Sequence, residues 1–128
     1  MSESINSHIR IVSYNTRGLR NVTIPSLFNE YDIVLLQETL LCKQDLGILN
    51  SLSPDFQGTG VSVTDTSLGL LVGRPVGGIA ILWRKTFASV ISEVDLELYW
   101  LSGICINAPN SEPIYIFSVY LAISINRE

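Results

Sequence analysis

The chain has 128 residues, 47% of them hydrophobic and 16% charged, with a formal net charge of −4. That is one domain by length, long enough to bury a core, and its charged share is well below the roughly 25% of an average soluble domain. The eight basic residues are scattered, which argues against the clustered Lys and Arg of a tight, non-specific nucleic-acid binder.

Cys42 and Cys105 form no CxxC pair and sit beside apolar residues, so they read as reduced core cysteines. The first eight residues are polar and lack the apolar run of a secretory leader. The longest uncharged apolar stretch, 114–125, is interrupted by Ser118 and Ser124 and is too short to span a membrane. The expected location is intracellular, nuclear or cytoplasmic, with no membrane partner.

The first element is a β-branched strand over 9–14, closed by the turn cluster Asn15-Thr16-Arg17-Gly18. A short helix over 24–31 follows, with Pro25 in its first turn. Asp32 then precedes Ile33-Val34-Leu35-Leu36, a run apolar on both faces and so a central strand. Residues 43–52 have helical spacing at Leu46 and Leu49. The stretch 58–72 is mixed, with alternation around Val61 and Val63. Gly77-Gly78 opens a strand over 79–83. Further strands are predicted over 87–94, 98–106 and 114–121, with a turn at Asn107-Ala108-Pro109-Asn110. An α/β start followed by a β meander predicts a mixed sheet with helices on one face.

The candidate chemistry lies at two strand ends. Asn15 ends the first strand; its carboxamide has the reach to accept from a protonated group or to ligate a hard cation, although Asn is also a common turn residue. Glu38 follows the second strand, and Mg²⁺ often takes only one or two protein carboxylates. The two are separated by 38 − 15 = 23 residues, enough for one short helix and its loops. A strand–helix–strand crossover places both C-terminal ends on the sheet edge where α/β sites lie.

Ser13-Tyr14-Asn15-Thr16-Arg17-Gly18-Leu19 resembles the S-x-N-x-x-G-L motif of the endonuclease/exonuclease/phosphatase superfamily. Residues 32–39, Asp-Ile-Val-Leu-Leu-Gln-Glu-Thr, resemble its D-I-x-x-L-Q-E-T motif. The segment 73–83 resembles G-R-P-x-G-G-x-A-I-L, in the version found in apurinic-endonuclease-like domains of non-LTR retrotransposons. Val119-Tyr120-Leu121 resembles the strand bearing a phosphate-contacting tyrosine. The resemblance implies that Asn15 and Glu38 belong to a Mg²⁺ or Mn²⁺ site, with Glu38 the direct ligand, and that Tyr120 orients the scissile phosphate. It implies metal-dependent hydrolysis of phosphodiesters, with DNA as the parent substrate. Arg74 is a further candidate phosphate contact or else a solvated loop residue.

The later family motifs, D-x-N and S-D-H, are not found after Tyr120, and Leu121 is followed by Ala122 where the pattern usually has Pro. The sole histidine, His8, precedes the first strand and reads as a solvated tail residue. The implied organisation is a disordered tail over 1–8, the N-terminal part of the family domain over 9–122, and a tail over 123–128. The implied fold is a partial four-layer α/β sandwich with about one sheet and its flanking helices. Such a sheet leaves a bare face, and self-association is expected through it. Two functions stay open: a truncated nuclease domain inactive by itself, and a non-catalytic protein-interaction module that uses the exposed face.

Overall fold

A computed structural model describes residues 8–19, 25–62, 77–96, 98 and 100–120. The expectations for residues 1–7 and 121–128, for Arg74 and for Val63 lie outside these.

The chain begins with β1 (Ile11–Asn15), α1 (Pro25–Glu30) and β2 (Ile33–Gln37). β1 and β2 are parallel, Asn15 standing opposite Gln37, as a crossover through one helix requires. A 3-10 helix, Lys43–Ser51, occupies the segment with helical spacing. β3 (Phe56–Val61) and β4 (Ile79–Arg84) complete a sheet of order β1-β2-β4-β3, in which β4 runs antiparallel to both neighbours. β5 (Ile91–Val94), β6 (Leu101–Ile106) and β7 (Ile114–Val119) form a separate antiparallel sheet.

The mixed α/β class is as expected, but the strands divide between two sheets where about one was expected. The physical reason is the pattern of burial along β2 and β4. Val34, Leu36, Ala80 and Leu82 point to one side and pack with Phe28 of α1, Leu49 of the 3-10 helix, Phe56 and Leu41. Ile33, Leu35, Ile81 and Trp83 point to the other and pack against Ile104 and Ile106 of β6. A sheet apolar on both faces needs a cover on each, and β5–β7 fold back to supply the second. The inner face expected to be bare is therefore covered over β2 and β4.

Three of the four expected layers are thus present among the described residues: helices, four-stranded sheet, three-stranded sheet. The outer face of the three-stranded sheet carries Tyr115, Phe117 and Val119, 59%, 41% and 46% exposed. The other exposed large apolar side chains among the described residues are Ile11 and Tyr14 on the edge strand β1, Leu98 and Trp100 before β6, and Ile114 on β7.

Local features also differ from expectation, the strand predicted over 98–106 beginning only at Leu101. The strand predicted over 87–94 is shortened, because a 3-10 turn, Lys85–Phe87, comes first; the Ala88 N–H closes it on the Lys85 carbonyl. β3 contains Gly58 and Gly60 at close backbone approaches. A Cβ on Gly58 would lie 2.5 Å from the Ile81 carbonyl oxygen, and one on Gly60 would lie 2.6 Å from Leu49 Cδ1. The glycines let β4 and the 3-10 helix sit tightly against β3, at the expense of its apolar alternation.

Asp32 anchors the start of β2. It is 8% exposed, accepts the Arg10 backbone N–H at 2.9 Å and is paired with Arg84 Nε at 3.1 Å. Arg84 also donates to the Phe28 and Tyr31 carbonyls, each at 2.8 Å, and lies over the Phe56 ring. Burial pushes the Asp32 carboxyl up. The hydrogen bonds from Arg10 and Arg84, with the charges of both arginines, outweigh it and hold the carboxyl below its ordinary value.

Candidate functional site

The parallel pairing of β1 with β2 brings Asn15 and Glu38 together. Asn15 is the last residue of β1, and Glu38 follows the last residue of β2. The Asn15 carboxamide donates from Nδ2 to Glu38 Oε2 in a short hydrogen bond. Its oxygen accepts the Arg17 backbone N–H at 3.0 Å. The amide is therefore oriented: one end fixed by the turn, the other presented to the carboxylate. Glu38 is half-buried and Asn15 exposed, so the pair sits at a rim open to solvent.

The backbone around the pair is pinned. Thr16 N–H bonds to the Gln37 carbonyl at 2.9 Å, Gly18 N–H to the Glu38 carbonyl at 2.8 Å, and Leu19 N–H to the Thr39 carbonyl at 3.0 Å. Thr16 Oγ1 donates to the Glu38 carbonyl at 2.8 Å. On the other flank, Thr39 N–H bonds to the Gly78 carbonyl at 3.1 Å and Leu40 N–H to the Gly77 carbonyl at 2.9 Å. These contacts hold Arg17, Glu38 and Leu40 in the left-handed region, at φ of 52°, 52° and 56°. That conformation costs a non-glycine residue roughly 1–2 kcal/mol, and such residues persist where the surroundings over-determine them, often at functional sites.

Tyr120 lies one residue beyond β7 and reaches the same end of the sandwich. Gln37 Nε2 donates to Ser13 Oγ at 3.1 Å and to Ser118 Oγ at 3.2 Å. Ser118 Oγ itself lies 3.4 Å from the Leu36 carbonyl oxygen. This polar bridge ties β1, β2 and β7 across the two sheets, and Tyr120 is two residues past Ser118. Its backbone N–H is bonded to the Trp100 carbonyl at 3.1 Å. Sequence reasoning missed Gln37, Ser13, Ser118 and Thr16. The available signal was polar residues at the ends of otherwise apolar strands, Ser118 having registered only as an interruption.

Within the described residues no group of three or more His, Cys, Asp or Glu is gathered. The oxygens at the rim are those of one carboxylate and of a neighbouring amide whose oxygen also accepts the Arg17 N–H, all hard donors. It suits Mg²⁺ or Mn²⁺ held largely by water and substrate oxygens, which need one or two carboxylates, and does not suit a soft metal. A cavity of about 760 Å³ opens farther along the same end, between Val61–Ser62, Glu93–Leu96 and Leu101–Gly103. Asn15, Glu38 and Tyr120 do not line it. No helix among the described residues is long and apolar enough to cross a membrane.

A two-sheet α/β sandwich with Asn and Glu joined at neighbouring strand ends is the frame in which known proteins become informative. The sequence matches the Endonuclease/Exonuclease/phosphatase family over residues 12–126, so the chain belongs to that family. Its fold is similar to the crystal structure of an AP endonuclease, LMAP, from Leishmania major, with a TM-score of 0.65 at 16% identity. The match covers 89% of this chain and 40% of that one; the chain spans less than half the length of the enzyme it resembles. No curated protein matches significantly.

Proposed function

We propose that this chain carries the metal- and phosphate-facing part of a DNA phosphodiesterase of the retrotransposon endonuclease type. The observation that supports the reading is the Asn15–Glu38 hydrogen bond across the ends of two parallel strands, with Tyr120 at the same end. In this reading Glu38 is the direct ligand of Mg²⁺ or Mn²⁺. Asn15 fixes the carboxylate's rotamer and belongs to the same metal site. The Tyr120 hydroxyl donates to a non-bridging oxygen of the scissile phosphate. The bound metal would supply charge neutralisation at the phosphoryl oxygens.

A general acid and base are needed besides. Such groups typically contribute roughly 10²–10⁴-fold, and these 128 residues contain neither D-x-N nor S-D-H after Tyr120. The expected result is that these 128 residues by themselves bind Mn²⁺ through Glu38 but do not nick supercoiled DNA efficiently in Mg²⁺. Calorimetric Mn²⁺ titration of wild type and Glu38→Ala tests the metal reading; equal affinity in the two would overturn it. Robust Mg²⁺-dependent nicking abolished by Glu38→Ala would keep the metal site and overturn the inactivity.

A further inference from the structure

Glu38 is aimed by more than its hydrogen bond to Asn15. It begins a short segment, Glu38–Leu40, that leaves the β2 ladder with left-handed residues on both sides of Thr39. Thr39 points into the protein and is 1% exposed. Its neighbour across the fold is Gly78, at φ 95°. A Cβ built on Gly78 would collide with Thr39 Oγ1, and it would lie 3.3 Å from the Leu40 nitrogen and 3.6 Å from Thr39 Cβ. The same two segments are joined by the Thr39 N–H to Gly78 carbonyl bond. The buried Thr39 side chain is therefore seated against a surface that only glycine provides.

We propose that Thr39 and Gly78 are positioning residues for Glu38. They form a size-matched seat that holds the left-handed turn and so presents the carboxylate to Asn15. Gly78 thus has a second role besides letting the chain enter β4. The metal consequence rests on the proposed function above; the effect on Asn15 does not.

The test is a size swap with two readouts. Thr39→Ala leaves a gap under the turn and removes the acceptor of the Leu41 N–H; Gly78→Ala overfills the seat and strains the backbone at φ 95°; Thr39→Ala/Gly78→Ala relieves the overfilling and keeps the strain. The first readout is the side-chain amide resonance of Asn15 in metal-free protein, calibrated by Glu38→Gln. Each single variant is expected to move it toward the Glu38→Gln position, and the double variant to lie nearer wild type than Gly78→Ala does, short of wild type because the strain at φ 95° stays. Thr39→Val/Gly78→Ala, which keeps a group where Oγ1 stood, should not move it nearer wild type. The second readout is Mn²⁺ affinity. Loss of an outer partner of a metal ligand typically weakens binding roughly 10–100-fold; that loss is expected in Gly78→Ala, and a smaller one in the double variant.

Thr39→Ala keeps the backbone of Gly78 unstrained, so it carries the test even if Gly78→Ala fails to fold. A wild-type Asn15 amide in Thr39→Ala would overturn the proposal, as would a double variant no nearer wild type than Gly78→Ala. If the amide behaves as expected but wild type binds no Mn²⁺, the positioning role stands and the metal reading falls.

Discussion

Asp32→Asn isolates the anchor at the start of β2, and its effect can be worked out contact by contact. The substitution keeps size and one acceptor but removes the charge. Two interactions change most: the hydrogen bond from the Arg10 backbone at 2.9 Å and the ion pair with Arg84 at 3.1 Å. The Arg10 side chain is 57% exposed and 3.7 Å away, so its own pairing is worth at most about 1 kcal/mol. The Arg84 pair is better shielded, with side chains 24% and 12% exposed. A hydrogen bond to a charged group contributes about 1.5–3 kcal/mol. Arg84 keeps its bonds to the Phe28 and Tyr31 carbonyls, which limits the loss. The expected cost at pH 7 is therefore about 2–3 kcal/mol, read by urea denaturation. The pH dependence gives a sharper check. The folded carboxyl lies below its ordinary value, and the unfolded one titrates near about 3.9. The contribution is thus fully present above about pH 4 and lost as pH falls through the folded value. Wild type should converge on Asp32→Asn in strong acid, the other carboxylates cancelling in the difference. Parallel stability curves for the two proteins from neutral pH to strong acid would refute the reasoning.

Other consequences follow from the packing. Gly58→Ala should destabilise by about 1–3 kcal/mol, because its Cβ would meet the Ile81 backbone carbonyl at 2.5 Å and backbone cannot step aside; chemical denaturation measures it. Arg17→Gly should raise stability by up to about 1 kcal/mol: φ of 52° costs arginine roughly 1–2 kcal/mol, and glycine's greater unfolded freedom offsets about half. A lower midpoint in urea would contradict this. Tyr115→Lys/Phe117→Ser should change stability little and reduce self-association, measured by sedimentation velocity, since both side chains lie on the exposed outer face of β7; unchanged association would exclude that face as the contact.

The elements most legible in the sequence were those whose burial is written in composition. β2 and β4 are apolar on both faces, and Ile33–Leu36 and Ile79–Trp83 are buried throughout. β3 was hidden because Gly58 and Gly60 replace side chains where close approach requires it. The division into two sheets was illegible for a related reason. Alternation shows which residues of β6 and β7 face inward, but not that the face they meet is the back of β2 and β4. At the rim, Asn15 and Glu38 were found because a crossover has few ways to place strand ends. Gln37 was passed over because a polar residue ending a buried strand looks like the onset of a loop, and its partner Ser118 lies 81 residues away.

The two ends of β2 divide the labour of a single motif. At Asp32 the chain gains stability: a carboxylate held below its ordinary value by two arginines, with Arg84 tying α1, β4 and Phe56 together. At Glu38 it gives stability up: a left-handed backbone and a half-buried carboxylate held ready by Asn15. The five residues between are buried or nearly so and hydrogen-bonded on both sides, which makes β2 a rigid spacer between the two. A substitution at the Asp32 end should therefore lower stability while leaving the Asn15–Glu38 geometry intact in the folded molecules. Thr39→Ala should instead shift the Asn15–Glu38 geometry, besides the stability lost with the gap it leaves. Measuring stability and the Asn15 amide resonance in both variants separates anchor from site, and equal effects on both quantities in both variants would show that β2 does not act as that spacer.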